Sequence, residues 1–223
     1  MRYLIVVAHT DDESFGMGGS IDKFLEQGHD VFATSLADGV SSRLGYSGEA
    51  IDVRRSNAIS ASQLLGFTWA EIGLLPDNSL DTIPLLEITR KIEAVISDLN
   101  PDVIFTHYPG DLNIDHQLVA RATITACRPL SSGFVNEILA FEVPSSTDFG
   151  EPFAGTAFSP NHFESLSRKN IDAKVAAMKS YVHEVPEAPH PRSPRSIRAL
   201  SKVRGSQAGS PYAEAFLRLR SLR

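Results

Sequence analysis

Residues 3–21 read YLIVVAHTDDESFGMGGSI, and the fold follows from how this stretch divides. Its first part, Tyr3 to Ala8, is continuously apolar, the pattern of a strand buried on both faces. It breaks at His9, Asp11, Asp12 and Glu13 and then passes into Gly16, Gly18 and Gly19. Acidic side chains crowded together raise one another's pKa and lose hydration, a cost that a bound cation removes. One imidazole and one carboxylate three residues apart, His9 and Asp12, supply two ligands to a zinc ion at the mouth of a strand. A solvated acidic turn fits the same letters, so the remaining chain decides between the two.

Outward from this stretch, strands alternate with helices. Ser20–Gln27 is amphipathic and stopped by Gly28, and Val31–Leu36 predicts a second strand. Residues 40–50 are rich in Ser and Gly and predict a surface loop. Ile51–Leu65 follows as a helix, Thr68–Gly73 as a third strand, and Thr82–Leu99 as a helix with Thr82 at the N-cap and Pro84 in the first turn. Asp102–Thr106 is a strand, Asp115–Cys127 a helix and Asn136–Val143 a fifth strand. This alternation predicts an α/β fold, a three-layer sandwich around a mainly parallel sheet with right-handed crossovers. After Pro144 the rhythm breaks. Ser145–Pro160 is irregular, Ser165–Tyr181 is helical, and two helices close the chain, Ser196–Arg204 and Pro211–Leu222. With no repeat and no low-complexity linker, residues 1–223 are expected to form one domain, with 145–223 packed over the sheet as a helical extension.

Composition narrows the function classes. The chain of 223 residues is 42% hydrophobic and 22% charged, ordinary for a globular protein with a large core. A net charge of -6 argues against a general nucleic-acid binder, although 192–223 is locally rich in Arg. The single cysteine, Cys127, excludes an internal disulfide framework and a multi-cysteine metal site, and its setting TITACRP predicts a buried structural thiol. No run approaches the roughly 18 apolar residues of a membrane span. The N-terminus passes into a strand without a signal-cleavage pattern, so a cytoplasmic location is the expectation.

The chemistry gathers at two strand ends. In open parallel sheets ligands bind outside the carboxyl ends of the strands. His9, Asp11 and Asp12 leave one such end, and His107, Asp111, Asn113, Asp115 and His116 leave another. His116 would complete a His-Asp-His set with His9 and Asp12, and three protein ligands leave a position open to water, as in a catalytic zinc site. Zinc brings such a water towards neutral pKa, and Asp11 is then available to take its proton. Asp115 suits either a carboxylate that orients a ligand from behind or a helix N-terminal acid. His107 suits either a hydrogen-bonded strand end or a substrate contact. The glycines fall short of a dinucleotide loop, because Ile21 stands where G-x-G-x-x-G needs its third glycine. They are expected instead to let backbone pass close to the metal.

AHTDDE followed by GG, with a later DLNIDH, resembles the PIG-L/LmbE family of metal-dependent N-deacetylases. The segments FEVPSSTDF, FSPNHF, PHPRS, RGSQAG and YAEAF extend the resemblance over nearly the whole chain. It implies a Rossmann-like sheet and hydrolysis of the acetamide of an N-acetylglucosamine-type sugar, free or on a lipid, thiol-precursor, nucleotide or antibiotic carrier. It implies His9, Asp12 and His116 as zinc ligands, Asp11 as general base and Arg54 as a substrate contact, and it brings His190, Arg192 and Gln207 towards the site. His/Asp ligation suits iron(II) as well as zinc. An arginine near the pocket suits an anionic carrier. Three positions depart from the family pattern. Thr10 replaces a proline, and Asn57 replaces an acid that often follows the arginine. Asn113 replaces a histidine held to stabilise the oxyanion; it donates a hydrogen bond but carries no charge. Protonation of the leaving amine then falls to His190 or to Asp11. The implied partner is a small or carrier-linked N-acetylated sugar, with no nucleic acid and no membrane span, and a homo-oligomer is left open. A catalytically silent sugar- or nucleotide-binding protein, or an amidase for another amide, would share these residues.

Overall fold

A computed structural model describes residues 1–129, 135–150 and 157–222. The strands are β1 (Arg2–Val7), β2 (Asp30–Ala37), β3 (Thr68–Leu75), β4 (Val103–His107), β5 (Glu137–Phe141), β6 (His162–Leu166) and β7 (Tyr212–Ser221). The helices are α1 (Asp12–Glu26), α2 (Gly48–Leu65), α3 (Leu85–Leu99), α4 (Ile114–Ala126), α5 (Arg168–Met178) and α6 (Pro194–Ala208). Among the described residues the strands form one seven-stranded sheet in the order β3-β2-β1-β4-β5-β7-β6. β1 to β5 pair in parallel, and β7 joins antiparallel to both β5 and β6.

β1 shows why the sandwich has three layers. Tyr3, Ile5 and Val7 bury against Phe15, Ile21 and Phe24 of α1 and Ala58, Ala61 and Leu65 of α2. The alternate residues Leu4, Val6 and Ala8 bury on the other face with Ile88, Ile92 and Ile96 of α3 and Val119 and Ala122 of α4. A period of two thus sends successive side chains into two helix layers, which is why the run carries no polar residue. The chain order reverses between β1 and β4, and at such a switch point a crevice opens outside the carboxyl ends of the two strands. Both polar clusters leave the sheet there.

Three expectations need correction. Pro211–Leu222 is the strand β7, not a helix, and β6 was missed, so residues 145–223 extend the sheet as well as covering it. The helix formers Ala, Glu, Leu and Arg in this stretch mislead, while the alternation Leu217-Arg218-Leu219-Arg220 and the ladder to β5 decide for strand. Secondly, the helix expected from Ser20 begins at Asp12 and contains all three glycines. They serve packing rather than approach to a metal. A Cβ on Gly16 would lie 2.4 Å from Phe141 Cδ2, and one on Gly19 2.7 Å from Leu166 Cδ1. Thirdly, Thr82 ends a short 3-10 turn, Leu80–Thr82, and Pro84 takes the N-cap of α3. Of the stretch expected to be irregular, 145–160, residues 151–156 lie outside the described residues. Cys127 is 3% exposed, and burial pushes its thiol up to about 12, which fits an inert structural role.

The C-terminal strand is locked to α5 by a buried ion pair and to α1 by hydrogen bonds. Lys174 Nζ lies 2.6 Å from Glu214 Oε1, and Glu214 also accepts the N–H groups of Gly19 at 3.1 Å and Ser20 at 2.7 Å. Removing one partner of a buried pair strands the other charge, at a cost of about 3–5 kcal/mol. Lys174→Met should therefore lower stability in urea unfolding by about 3 kcal/mol or more, and adding Glu214→Gln should recover a large part of the loss. Equal destabilisation of the single and double variants would contradict this account.

Candidate active site

The chain leaves β1 through a tight turn at Asp11, whose φ of 123° is a conformation that non-glycine residues seldom adopt. Such backbone costs about 1–3 kcal/mol and persists only where neighbours hold it. Here Glu13 Oε2 accepts the Asp11 N–H at 2.9 Å, and Asp12 Oδ2 accepts the His9 N–H at 3.0 Å. Glu13 is fully buried and also accepts the Tyr181 hydroxyl at 2.8 Å. Burial pushes its carboxyl up to about 7 despite the bonds from Asp11, Ser14 and Tyr181.

On one side of the turn, three acceptors converge. His9 Nδ1 lies 3.3 Å from Asp12 Oδ2, His116 Nε2 lies 3.3 Å from the same oxygen, and the two nitrogens are 3.4 Å apart. The far nitrogens assign the protons. His9 Nε2 faces Asp77 Oδ1 and Asp115 Oδ2, each at 3.1 Å, and His116 Nδ1 faces Asp111 Oδ1 at 3.2 Å. With protons there, the near nitrogens present lone pairs towards one carboxylate oxygen. A tetrahedral cation with bonds of about 2.0–2.1 Å has ligand–ligand edges of about 3.3–3.4 Å. All three residues are buried, and the other oxygen, Asp12 Oδ1, has no hydrogen-bond partner among the described residues. The donor set therefore fits a divalent metal.

Without a cation the triad would hold protons instead. Burial alone would lower His9, but its bonds to Asp115, Asp12 and Asp77 hold it well above the usual imidazole range. His116, likewise disfavoured by burial, is raised to about 9 by Asp12 and Asp111. Burial would raise Asp12, yet the neighbouring histidines hold it well below the usual carboxylate range.

A ring of further residues fixes these ligands. Asp111 accepts the hydroxyls of Ser146 and, at 2.6 Å, Thr147, and its pKa is held down to about 2 because His116 and those bonds outweigh its burial. Asp115 sits behind His9 and accepts the Leu80 N–H at 3.0 Å, so it orients the His9 ring as well as opening α4. His107 takes the hydrogen-bonded role: its Nε2 accepts the Ala8 N–H at 2.8 Å and its ring stacks on His116 at 3.9 Å. Asn113 caps α4, accepting from the N–H groups of Asp115 at 2.8 Å and His116 at 3.4 Å, while its Nδ2 donates to Asn78 at 2.9 Å.

On the other side of the turn, Asp11 meets two guanidinium groups. Arg54 Nη2 lies 2.9 Å from Oδ1, and Arg192 Nη1 lies 3.4 Å from Oδ2. Burial raises the Asp11 pKa and Asp12 adds to it, with Arg54 and Arg192 opposing. Arg54 is 6% exposed and is spent on protein groups: Asp11, the hydroxyl and carbonyl of Thr10, and Glu184 Oε1 at 2.8 Å. The departure from proline at residue 10 thus gives Arg54 an extra acceptor. Asp11, Asp12, His116 and Asn113 line a polar cleft of about 170 Å³, with Arg192 at its wall. His190 and Gln207 do not line it; His190 Nδ1 accepts the Arg192 N–H, and Gln207 accepts from Arg204. Sequence reasoning assigned no role to Asp77, Glu184 or Tyr181. Asp77 follows β3 at the same edge as the two clusters, and that position was the signal available.

Residues 4–127 match the family described as GlcNAc-PI de-N-acetylase, PIG-L, and the chain belongs to that family. It is 28% identical to the uncharacterized deacetylase YaiS of Escherichia coli K12 over 80% of this chain and 89% of that protein. The N,N'-diacetylchitobiose deacetylase of Pyrococcus horikoshii, complexed with its inhibitor MPG, shares the fold with a TM-score of 0.77, 20% identity, and coverage of 98% of this chain and 83% of that one. GalB, the 4-carboxy-2-hydroxymuconate hydratase of Pseudomonas putida KT2440, has the same TM-score at 22% identity, covering 98% and 95%. Fold alone therefore does not name the reaction. Family membership does place this chain among the deacetylases, hydrolases acting on amide bonds. Among the described residues, no helix is long and apolar enough to cross a membrane.

If Asp111 orients His116 for a metal, Asp111→Ala should weaken zinc binding about 10–100-fold, measured by competition with a chromogenic chelator. An unchanged affinity would remove Asp111 from the metal's support.

Proposed function

We propose that this protein removes the acetyl group from an N-acetylated amino sugar of the N-acetylglucosamine type, using a divalent metal at His9, Asp12 and His116 and Asp11 as general base. The observation that carries the reading is the closed triangle of His9 Nδ1, His116 Nε2 and Asp12 Oδ2, with sides of 3.3, 3.3 and 3.4 Å, and carboxylates facing both far ring nitrogens. A divalent cation bound there, zinc or iron(II), supplies Lewis acidity to the amide carbonyl and lowers the pKa of water.

The chain's own residues do the rest. Asp11 faces the cleft beside Asp12, and Arg54 and Arg192 hold its carboxylate in one orientation. Its burial raises its proton affinity towards that of an effective base, and the two guanidinium groups oppose that rise. Asp11 takes the proton of the attacking water and, as a carboxylic acid, passes a proton to the departing amine. That assignment dispenses with His190, which does not line the cleft. Asn113 lies at the cleft wall with its amide nitrogen directed to Asn78, and it donates to the developing oxyanion from there. Arg192 keeps a role towards substrate, since its Nη2 has no partner among the described residues, whereas Arg54 acts on the base. Residues 1–223 act as one catalytic unit in this reading, because Glu184 and Arg192 of the second part meet Arg54 and Asp11 of the first.

The roles separate by measurement. Asp12→Ala and His116→Ala should lose both metal, by elemental analysis, and amine release from N-acetylglucosamine-type sugars. Asp11→Asn should keep its metal and lose about 10²–10⁴-fold in kcat/KM. Loss of metal from Asp11→Asn would overturn its assignment as base. Metal retained by the unmodified protein with no amine released from any N-acetyl sugar would favour a binding protein instead.

A further inference from the structure

We infer that Tyr181 is a positioning residue for the general base Asp11, holding its backbone through Glu13 and its carboxylate through Arg54. The inference rests on the deacetylase reading above and adds to it a residue that does not line the cleft. Tyr181 lies just beyond α5 and is fully buried.

Three groups of this one residue lead to Asp11. Its hydroxyl donates to Glu13 Oε1 at 2.8 Å, and Glu13 Oε2 accepts the Asp11 N–H at 2.9 Å. Its ring faces the Arg54 guanidinium at 5.2 Å, and Arg54 Nη2 stands 2.9 Å from Asp11 Oδ1. A cation over an aromatic face is attracted by the ring quadrupole, the more so away from water. The Tyr181 carbonyl accepts the Glu184 N–H at 2.9 Å, and Glu184 Oε1 in turn accepts from Arg54 Nη1 at 2.8 Å. The backbone and the side chain of the base are thus fixed from one point.

Packing alone does not account for a tyrosine here. Phenylalanine would fill the same space and leave no hydroxyl to satisfy in a dry site, where an unbonded one is costly. Burial holds the Tyr181 hydroxyl well above the usual tyrosine range, so it stays protonated and donates. The acceptor it meets is the carboxylate that secures the φ of 123° at Asp11, a conformation that persists only where neighbours hold it. Without the hydroxyl, Glu13 Oε1 keeps the Ser14 hydroxyl at 2.7 Å but loses this tether to the second part of the chain. The turn then loosens, and Asp11 spends less time where it reaches the attacking water.

Tyr181→Phe removes the hydroxyl and keeps the ring. In the metal-loaded protein its kcat should fall about tenfold or more on whichever of N-acetylglucosamine and N,N'-diacetylchitobiose is turned over faster, with KM and metal content unchanged. In an Asp11→Asn background the same substitution should change kcat less than about twofold, because residues that act as a unit are not additive. A merely structural role would lower both backgrounds alike. Hydrogen exchange of the Asp11 amide, followed by NMR on the zinc-loaded protein, gives a readout without turnover. Tyr181→Phe should speed that exchange about tenfold and leave the amides of β1 unchanged. An unchanged kcat, equal losses in both backgrounds, or an unchanged exchange rate would overturn the inference. Should a thermal melt show that Tyr181→Phe does not fold, Glu13→Gln is read by the same measurements. Should the unmodified protein release amine from no N-acetyl sugar, the deacetylase reading fails, and exchange of the Asp11 amide alone decides whether Tyr181 holds the turn.

Discussion

Three lone-pair donors pointed at one another in a dry site are the constraint on which the rest of this structure depends. His9, Asp12 and His116 converge, and Asp77, Asp111 and Asp115 stand behind, facing the far ring nitrogens at 3.1–3.2 Å. Several buried carboxylates in one place would repel one another and suffer from lost hydration. A divalent cation at the triad would supply the opposing charge. The fold contributes the place: β1 and β4 are neighbours at the point where strand order reverses, so their two loops open onto one crevice.

Adjacent aspartates can do different work only if the backbone sends them apart. The positive φ at Asp11 does so, giving Asp12 to the two imidazoles and Asp11 to two guanidinium groups. That strained residue is held by Glu13, which is held in turn by Tyr181, while Arg54 lies 5.2 Å over the Tyr181 ring. The second part of the chain thus stiffens the turn that the first part makes. Glu214, paired with Lys174 of α5, acts similarly on the glycine-containing stretch of α1, accepting the N–H groups of Gly19 and Ser20 from β7.

Much of this was legible in the amino-acid sequence. The unbroken apolar run of β1 and the alternation behind it specified the parallel sheet, and the two polar clusters at strand ends pointed to the side chains that the fold brings together. What escaped has physical causes. β7 is written in helix-forming residues, and only its long-range ladder to β5 makes it a strand. The glycines looked like a ligand loop because the clash they avoid, with Phe141 and Leu166, involves residues far away in the chain. Arg54 was expected to meet substrate, and it does line the cleft, but the pairings that hold it were not foreseen. Its N–H groups pair with Thr10, Asp11 and Glu184, which spacing along the chain does not reveal.

The central claim is that one divalent cation sits at the triangle of His9, Asp12 and His116. X-ray absorption at the zinc edge of the stoichiometrically loaded protein tests it most directly. The account predicts nitrogen and oxygen neighbours at about 2.0–2.1 Å with the outer-shell scattering of two imidazoles, and the loss of that imidazole signal in His116→Ala. A spectrum with no imidazole scattering, or one unchanged by His116→Ala, would contradict it.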